Sequence, residues 1–487
     1  MTKSHHFPTK HRITIFFTLL FLSYSLSIFS QTNESSSRGC FMVMVGKNIS
    51  SNGSAMIAHN NDLKGDEFSY VQKFPRTHYD SVVFWKLKNG LKLEIPEITN
   101  KWMVLQTNKG FTEGDAVAVN EYQVAIGGGV SLKKDRNLKA RSADPLIDKG
   151  VSGAVRYLAL QQSGSARECV KIIGEYYNTY GISYPSGVAI ADPNEIWYME
   201  TGGGRHWAAV KIPNDACWVQ ANNYRINYIN PNNNNMMCSP GLLEFAKKEG
   251  LWDPDKSIFS FAEAFGGRMS KTDKYKNYNN HRIWRAISII APSVNVEPDQ
   301  KHFPYYIRPE KKVGLKKIMS VLRDEYRGTK FYPFHNDTIS EQERTIASSK
   351  CVHTSIIQLR NGLPSNIGAV MWVGLSSPVT TPYIPLYLGI KKVPDNYGKN
   401  SREKAFEIYR QLAAKYYAAP LKYRNTFPSI WESLENKIIR EQNNMDQMAF
   451  RLYRIDKGQA KHFLTVNVAT LADEGIDIAG EFLESEK

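Results

Sequence analysis

The sequence has little of what metal, disulfide and phosphate chemistry usually require. Five cysteines in 487 residues are too sparse for a disulfide scaffold. No CxxC or HExxH occurs and the eight histidines beyond residue 12 are scattered, so no metal site is expected. Neither glycine triplet, at 127–129 or 202–204, has the GxxxxGKS pattern of a phosphate loop. Lys and Arg outnumber Asp and Glu by 62 to 47, yet no block of five or six like charges and no nucleic-acid motif is present. A dispersed basic surface is the first reading, attraction to anionic polymers or envelope surfaces the second, and no nucleic-acid partner is expected.

Only one long apolar run exists. Residues 13–29 (ITIFFTLLFLSYSLSIF) follow Lys3, Lys10 and Arg12 and end in Ser30-Gln31-Thr32. A basic segment, an apolar segment and a small-residue exit make residues 1–30 a signal peptide, cut near Ser30. A retained anchor is the rival, disfavoured because the run is short for a bilayer and carries Ser23, Ser25 and Ser27. No later run is long and apolar enough to span, so a secreted or periplasmic, soluble mature chain is expected. In such a compartment the odd cysteine count leaves at least one thiol free or paired between chains; Cys217 and Cys238 are candidates for a bridge, and self-association stays open.

What is present reads as many short strands, then helices. FMVMV at 41–45 and AMIA at 55–58 flank KNISSNGS, whose Asn52-Gly53 is a turn signal, so a hairpin beginning at Cys40 is expected. Strands are expected at 81–85, 116–119, 123–126, 187–190, 196–200, 207–211, 217–220, 354–359, 369–373 and 384–388. Helices are expected at 153–162, 166–179, 402–418 and 428–450. Cys169 recurs with Ile172, Ile173 and Tyr176 at helical spacing, which makes it a packing residue. This order predicts an α+β fold of layered antiparallel sheets and helices, with residues 40–395 as the core and 396–487 as a helical extension packed on it.

Four readings compete for Cys40. A lipid anchor would follow the apolar run directly, but nine residues, 31–39, intervene. A disulfide and a buried packing role are both ordinary for a strand cysteine. The fourth is a cut between Gly39 and Cys40, with residues 31–39 as a short propeptide. It would give Cys40 a free α-amine, titrating at about 7.7–8.0, beside a thiol titrating near about 8.5, so one residue would supply base and nucleophile.

Cys40 opens C-FMVMVG-K-NISSNGS-AMIAHNND (40–62), and N-EYQVAIGG (120–128), P-NEIWYMETGGGRHWAAVKIP (193–213), A-NNYRI (221–226), H-RIWRA (281–286), Q-LRNGLP (358–364) and P-YIPLYLGI (382–390) follow in order. This series resembles the dipeptidase A family of secreted cysteine dipeptidases, N-terminal nucleophile hydrolases related to the choloylglycine hydrolases. The resemblance implies an αββα sandwich of antiparallel sheets and assigns Cys40 as nucleophile. It implies that Asp62 bonds the nucleophile's amine and thiol, which suits a carboxylate beside an ammonium. Asn222, or Asn223 by a one-residue slip, matches an oxyanion donor, and the backbone near Gly129 and Val130 the second donor. Arg282 and Arg285 match two arginines at i and i+3 on a helix, one steering the cysteine and the other packing or gripping a carboxylate. His59 stands where relatives usually carry arginine, and Phe41 where they carry threonine, which makes any charge at position 59 pH-dependent.

The function implied is dipeptide hydrolysis by acyl transfer to an autocatalytically exposed Cys40, without metal or organic cofactor. Glu200 and Asp115 are candidates for the substrate ammonium, and Arg285 or Arg225 for its carboxylate. An amidase acting on N-acyl amides and a non-catalytic surface-binding protein of the same fold are the alternatives.

Overall fold

A computed structural model describes residues 39–63, 67–110, 116–267, 273–300, 302–335, 344–399 and 405–486. The expected signal peptide, propeptide residues 31–38 and Asp115 lie outside the described residues.

The chain enters as an antiparallel hairpin, β1 (Gly39–Val45) and β2 (Ala55–Asp62). The Asn52-Gly53 turn accounts for it: Gly53 has φ of +74°, which glycine adopts without a side-chain penalty. Next come β3 (Ser69–Phe74), two small ribbons built from β4 (Thr77–His78), β5 (Phe84–Lys86), β6 (Lys92–Glu94) and β7 (Ile98–Thr99), then β8 (Trp102–Thr107), β9 (Val117–Asn120) and β10 (Ala125–Ser131). Helices α1 (Val155–Leu160) and α2 (Ala166–Tyr180) precede β11 (Ser186–Ala191), β12 (Ile196–Gly203), β13 (His206–Ile212), β14 (Cys217–Gln220) and β15 (Met236–Cys238). Helices α3 (Asp273–Ile290) and α4 (Leu315–Leu322) follow, then β16 (Cys351–Leu359), β17 (Ala369–Leu375) and β18 (Ile384–Tyr387). The chain finishes with α5 (Ala405–Ala418), α6 (Thr426–Ile455) and α7 (Lys457–Ser485).

Two antiparallel sheets face each other. One runs β14-β1-β2-β16-β17-β18, the other β15-β13-β12-β11-β10-β9-β8-β3. β10 packs across β1 and β2, α1 and α2 cover the far face of the larger sheet, and α3, α4, α5 and α7 cover the smaller one. The result is the four-layer αββα sandwich. β1 and β2 are buried on both faces, so Phe41–Val45 and Ala55–Ala58 are continuously apolar rather than alternating. Residues 39–487 form one compact unit. Among the described residues no helix is long and apolar enough to cross a membrane.

Three expectations need correction. The strand expected at 81–85 is confined to Phe84–Lys86. The terminal helix runs Thr426–Ile455, and a second one, Lys457–Ser485, was not expected. Its β-branched residues and glycines argue against a helix on propensity, but Ala460, Leu464, Val468, Ala472, Gly475 and Ala479 form a buried stripe of small side chains against α6 and β18. Tertiary packing overrides local preference there. Cys217 and Cys238 form no bridge: they lie in different sheets.

Candidate active site

The open end of the hairpin holds four consecutive buried polar residues, His59, Asn60, Asn61 and Asp62, each at most 1% exposed. Strand alternation divides them. Asn61 lies opposite Cys40, and His59 opposite Met42, while Asp62 lies opposite Gly39. Asn60 is structural: its Nδ2 donates to the carbonyls of Leu322 (2.9 Å) and Ile346 (3.0 Å), and its Oδ1 accepts from Thr354 Oγ1 (2.6 Å).

Cys40 is 6% exposed. Its thiol donates to Asn61 Oδ1 at 3.5 Å and its backbone N–H to Asn222 Oδ1 at 3.2 Å. Arg282, buried on α3, donates through Nη1 to the Cys40 carbonyl (3.0 Å) and through Nη2 to Asn222 Oδ1 (2.9 Å). Two donors on that oxygen fix which way the Asn222 amide faces. Its Nδ2 therefore faces the β10 side and donates to Ser131 O at 3.1 Å; an amide nitrogen has a second N–H to offer.

The loop bearing Asn222 is pinned from several directions. Asn279 Oδ1 accepts the Asn222 N–H (2.8 Å) and Asp135 Oδ2 that of Tyr224 (2.8 Å). Glu200, buried on β12, accepts the N–H groups of Arg225 (2.7 Å) and Ile226 (3.1 Å). Burial pushes the Glu200 carboxyl up to about 8, against those two N–H groups and the Arg225 charge. The ammonium-binding role expected of Glu200 is thereby replaced by an anchoring one. Arg225 gives an N–H to Glu200 and its Nη2 to Pro304 O (2.8 Å).

Asp62 forms a buried ion pair with Arg344, a residue that no sequence motif marked. Burial raises the Asp62 carboxyl, while Arg344 and then Arg282 pull it down; the net direction is up. The Cys351 thiol of β16 lies beside Asp62, directly across the ladder.

His59 lies under β10. Gly128 has φ of +79° and a Cβ there would meet the imidazole at 2.7 Å, so glycine alone fits this bulge, where the β10–β11 register shifts. Burial drives His59 down to about 4, with a raising contribution from the Gly129 backbone and a lowering one from Arg156. His59 is therefore neutral at ordinary pH and supplies no fixed cation. β10 pairs with β9 as far as Gly127, and among the described residues Gly129 and Val130 pair with β11 alone.

Arg285, three residues beyond Arg282, does not join the cluster. Its Nε and Nη2 take both oxygens of Asp324 (2.9 and 2.8 Å), and Nη2 also reaches Arg327 O. Of the two roles the resemblance offered it, packing or gripping a carboxylate, these contacts fit packing, as a partly buried pair with Asp324. Among the described residues no group of three or more His, Cys, Asp or Glu is placed to hold a metal ion.

The geometry thus brings together Cys40, Asn61, Asp62, Asn222, Arg282 and Arg344 from β1, β2, the loop after β14, α3 and the segment before β16. Comparison with known proteins agrees with a hydrolase of peptides. A family model described as peptidase family C69 matches residues 39–419, opening one residue ahead of Cys40. A probable dipeptidase of Latilactobacillus sakei is 30% identical over 389 residues, covering 77% of this chain and 80% of its own. One of Salmonella dublin is 31% identical over 360 residues, covering 72% and 81%. Dipeptidase A of Lactobacillus helveticus is 26% identical over 369 residues, covering 73% and 76%. This chain is a member of peptidase family C69.

Proposed function

We propose that the protein is an exported dipeptidase whose working form begins at Cys40, with Cys40 as nucleophile. The observation that carries the reading is the double hold on the Cys40 backbone: its nitrogen on Asn222 Oδ1 and its carbonyl on Arg282. A backbone nitrogen that is only a strand amide has no need of a side-chain acceptor shared with a buried guanidinium. A freed α-amine at that place has one, because Asn222 Oδ1 would hold its hydrogens and leave its lone pair for the thiol proton.

In this mechanism the amine takes the thiol proton and the thiolate attacks the scissile carbonyl. The remaining N–H of Asn222 Nδ2 and a backbone N–H of the 129–130 stretch stabilise the oxyanion, a donor of this kind being worth about 10²–10³ in rate. The ammonium then protonates the departing amino acid, and water cleaves the thioester to regenerate the thiol. Asp62 and Arg344 form a near-neutral pair beside the ammonium, and Arg282 balances the thiolate. With His59 neutral, the arginines of α3 and of the segment before β16 provide the positive charge.

Support for dipeptides comes from the relatives' names, and the burial of Cys40 suits a short substrate. The test is a panel of free dipeptides against N-acylated amino acids, with Cys40→Ser beside the wild type. The reading expects free dipeptides to turn over faster and the variant to lose at least about 10³-fold in kcat. Faster turnover of the acylated set, or an active Cys40→Ser, would count against it.

A further inference from the structure

Residue 39 fits its place more tightly than the fold alone requires. A Cβ built on Gly39 would lie 2.5 Å from the Tyr278 hydroxyl and 2.6 Å from Arg344 Nη2. Flexible side chains ordinarily relieve such contacts, but these two are held. Arg344 has a side chain only 9% exposed, is ion-paired with Asp62, and its backbone carbonyl accepts the Tyr326 hydroxyl at 2.6 Å. The Tyr278 ring is flanked by two guanidiniums, Arg344 and Arg282, each 5.0 Å from its centroid, an arrangement that favours cations over the ring face. The Tyr278 oxygen is buried and has no hydrogen-bond partner among the described residues, an arrangement that costs free energy.

We infer that Tyr278 and Arg344 form a glycine-only seat for residue 39, so that cleavage at Cys40 is selected by the fit of the residue before the bond. This rests on the reading that the working form begins at Cys40. A side chain of any size at position 39 would push the residue out of register with Asp62 and carry its carbonyl away from the thiol. The seat serves the uncut chain, because the residue that fills it is discarded.

The step it governs balances as a hydrolysis. Cys40 Sγ bonds to the Gly39 carbonyl carbon, the Gly39–Cys40 C–N bond breaks, and the thiol proton ends on the Cys40 nitrogen. Water then adds to the thioester, leaving a Gly39 carboxylate and the restored thiol. Tyr278 and Arg344 are positioning residues in this step.

The experiment follows the intact mass of the full chain with time after synthesis in a cell-free system, for the wild type, Gly39→Ala, Tyr278→Phe and the double variant. Tyr278→Phe keeps the ring between the two guanidiniums and removes only the nearest colliding atom. Gly39→Ala is expected to slow the loss of residues ahead of Cys40 by about tenfold or more, which a strain of about 1.4 kcal/mol in the transition state would produce. The double variant is expected to regain speed, and Tyr278→Phe alone to be cut at least as fast as wild type. Cleavage of Gly39→Ala at the wild-type rate would overturn the inference, as would a double variant no faster than Gly39→Ala. A misfolded Gly39→Ala would not be rescued by deleting one hydroxyl, so rescue separates seat from fold. Wild-type chain that keeps residues ahead of Cys40 yet splits dipeptides would instead overturn the underlying reading, and it is recognised in the wild type alone.

Discussion

At its turn the β1–β2 hairpin sets Val45 against Met56 and Met44 against Ile57; at its open end the same strands set Gly39 against Asp62 and Cys40 against Asn61. Both ends are buried. The turn end is satisfied by its backbone ladder and by apolar neighbours. Its polar counterpart must find partners for every donor and acceptor, since an unpaired buried polar group costs about 1–3 kcal/mol. It finds part of them far along the chain: Asn222 is 182 residues from Cys40, Arg282 is 242, and Arg344 is 282 from Asp62. Both His59 ring nitrogens, Asn61 Nδ2 and Asp62 Oδ1 have no hydrogen-bond partner among the described residues. One end of the hairpin makes the core; the other collects the rest of the protein around a thiol.

The contrast is broken most severely at Arg282. Lysine keeps a charge but not the fork that reaches Cys40, Asn222 and Asn279 together. Arg282→Lys is expected to lower kcat by about 10²–10³, whereas Arg285→Lys, whose partner is Asp324, should stay within about threefold. Equal losses from the two, in steady-state dipeptide assays, would remove the distinction drawn between them.

A smaller effect sharpens the comparison through pH. His59 holds a folded value of about 4, below its usual 6.5, so the unfolded chain binds its proton first as pH falls. Its contribution to stability is whole above pH 6.5 and is lost as pH drops toward 4, by about 1.36 kcal/mol per unit. Buried His353 is lowered in the same direction, by burial and then by His59. Glu200 and Glu325, both pushed up to about 8 by burial, have the opposite sign and favour the folded state below their unfolded value. These contributions oppose one another, so a difference is the useful measurement. Urea unfolding of His59→Leu against wild type should show the gap between them changing between pH 6.5 and 4 and constant above 6.5. A gap independent of pH would mean that His59 titrates alike in the folded and the unfolded chain.

The same contrast explains what the sequence disclosed. The hairpin was legible because Asn52-Gly53 and two apolar runs are local signals, and the layered fold followed from many short strands before the helices. Cys40 was marked by its place after the apolar run and by its chemistry, whereas Asp62, Asn222 and Arg282 were reachable only through ordered resemblance; the structure gathers all four. Arg344 and Tyr278 were missed because nothing in their neighbouring residues marks them; their meaning comes from Gly39 and Asp62 across the fold. Glu200 was offered as a substrate group from its charge and Arg285 from the resemblance, with packing as the alternative; each has a structural partner, the N–H groups of Arg225 and Ile226 in one case and Asp324 in the other. Helix Lys457–Ser485 escaped because its signal is a stripe of small residues rather than large ones.

The central claim, that cleavage makes Cys40 both the first residue and the base, is met most directly by the intact mass of catalytically active protein recovered from its producing cells. The account predicts a chain whose first residue is Cys40, with dipeptide turnover rising in step with the fraction so cut. A chain that begins ahead of Gly39 and hydrolyses dipeptides at the full rate would contradict it.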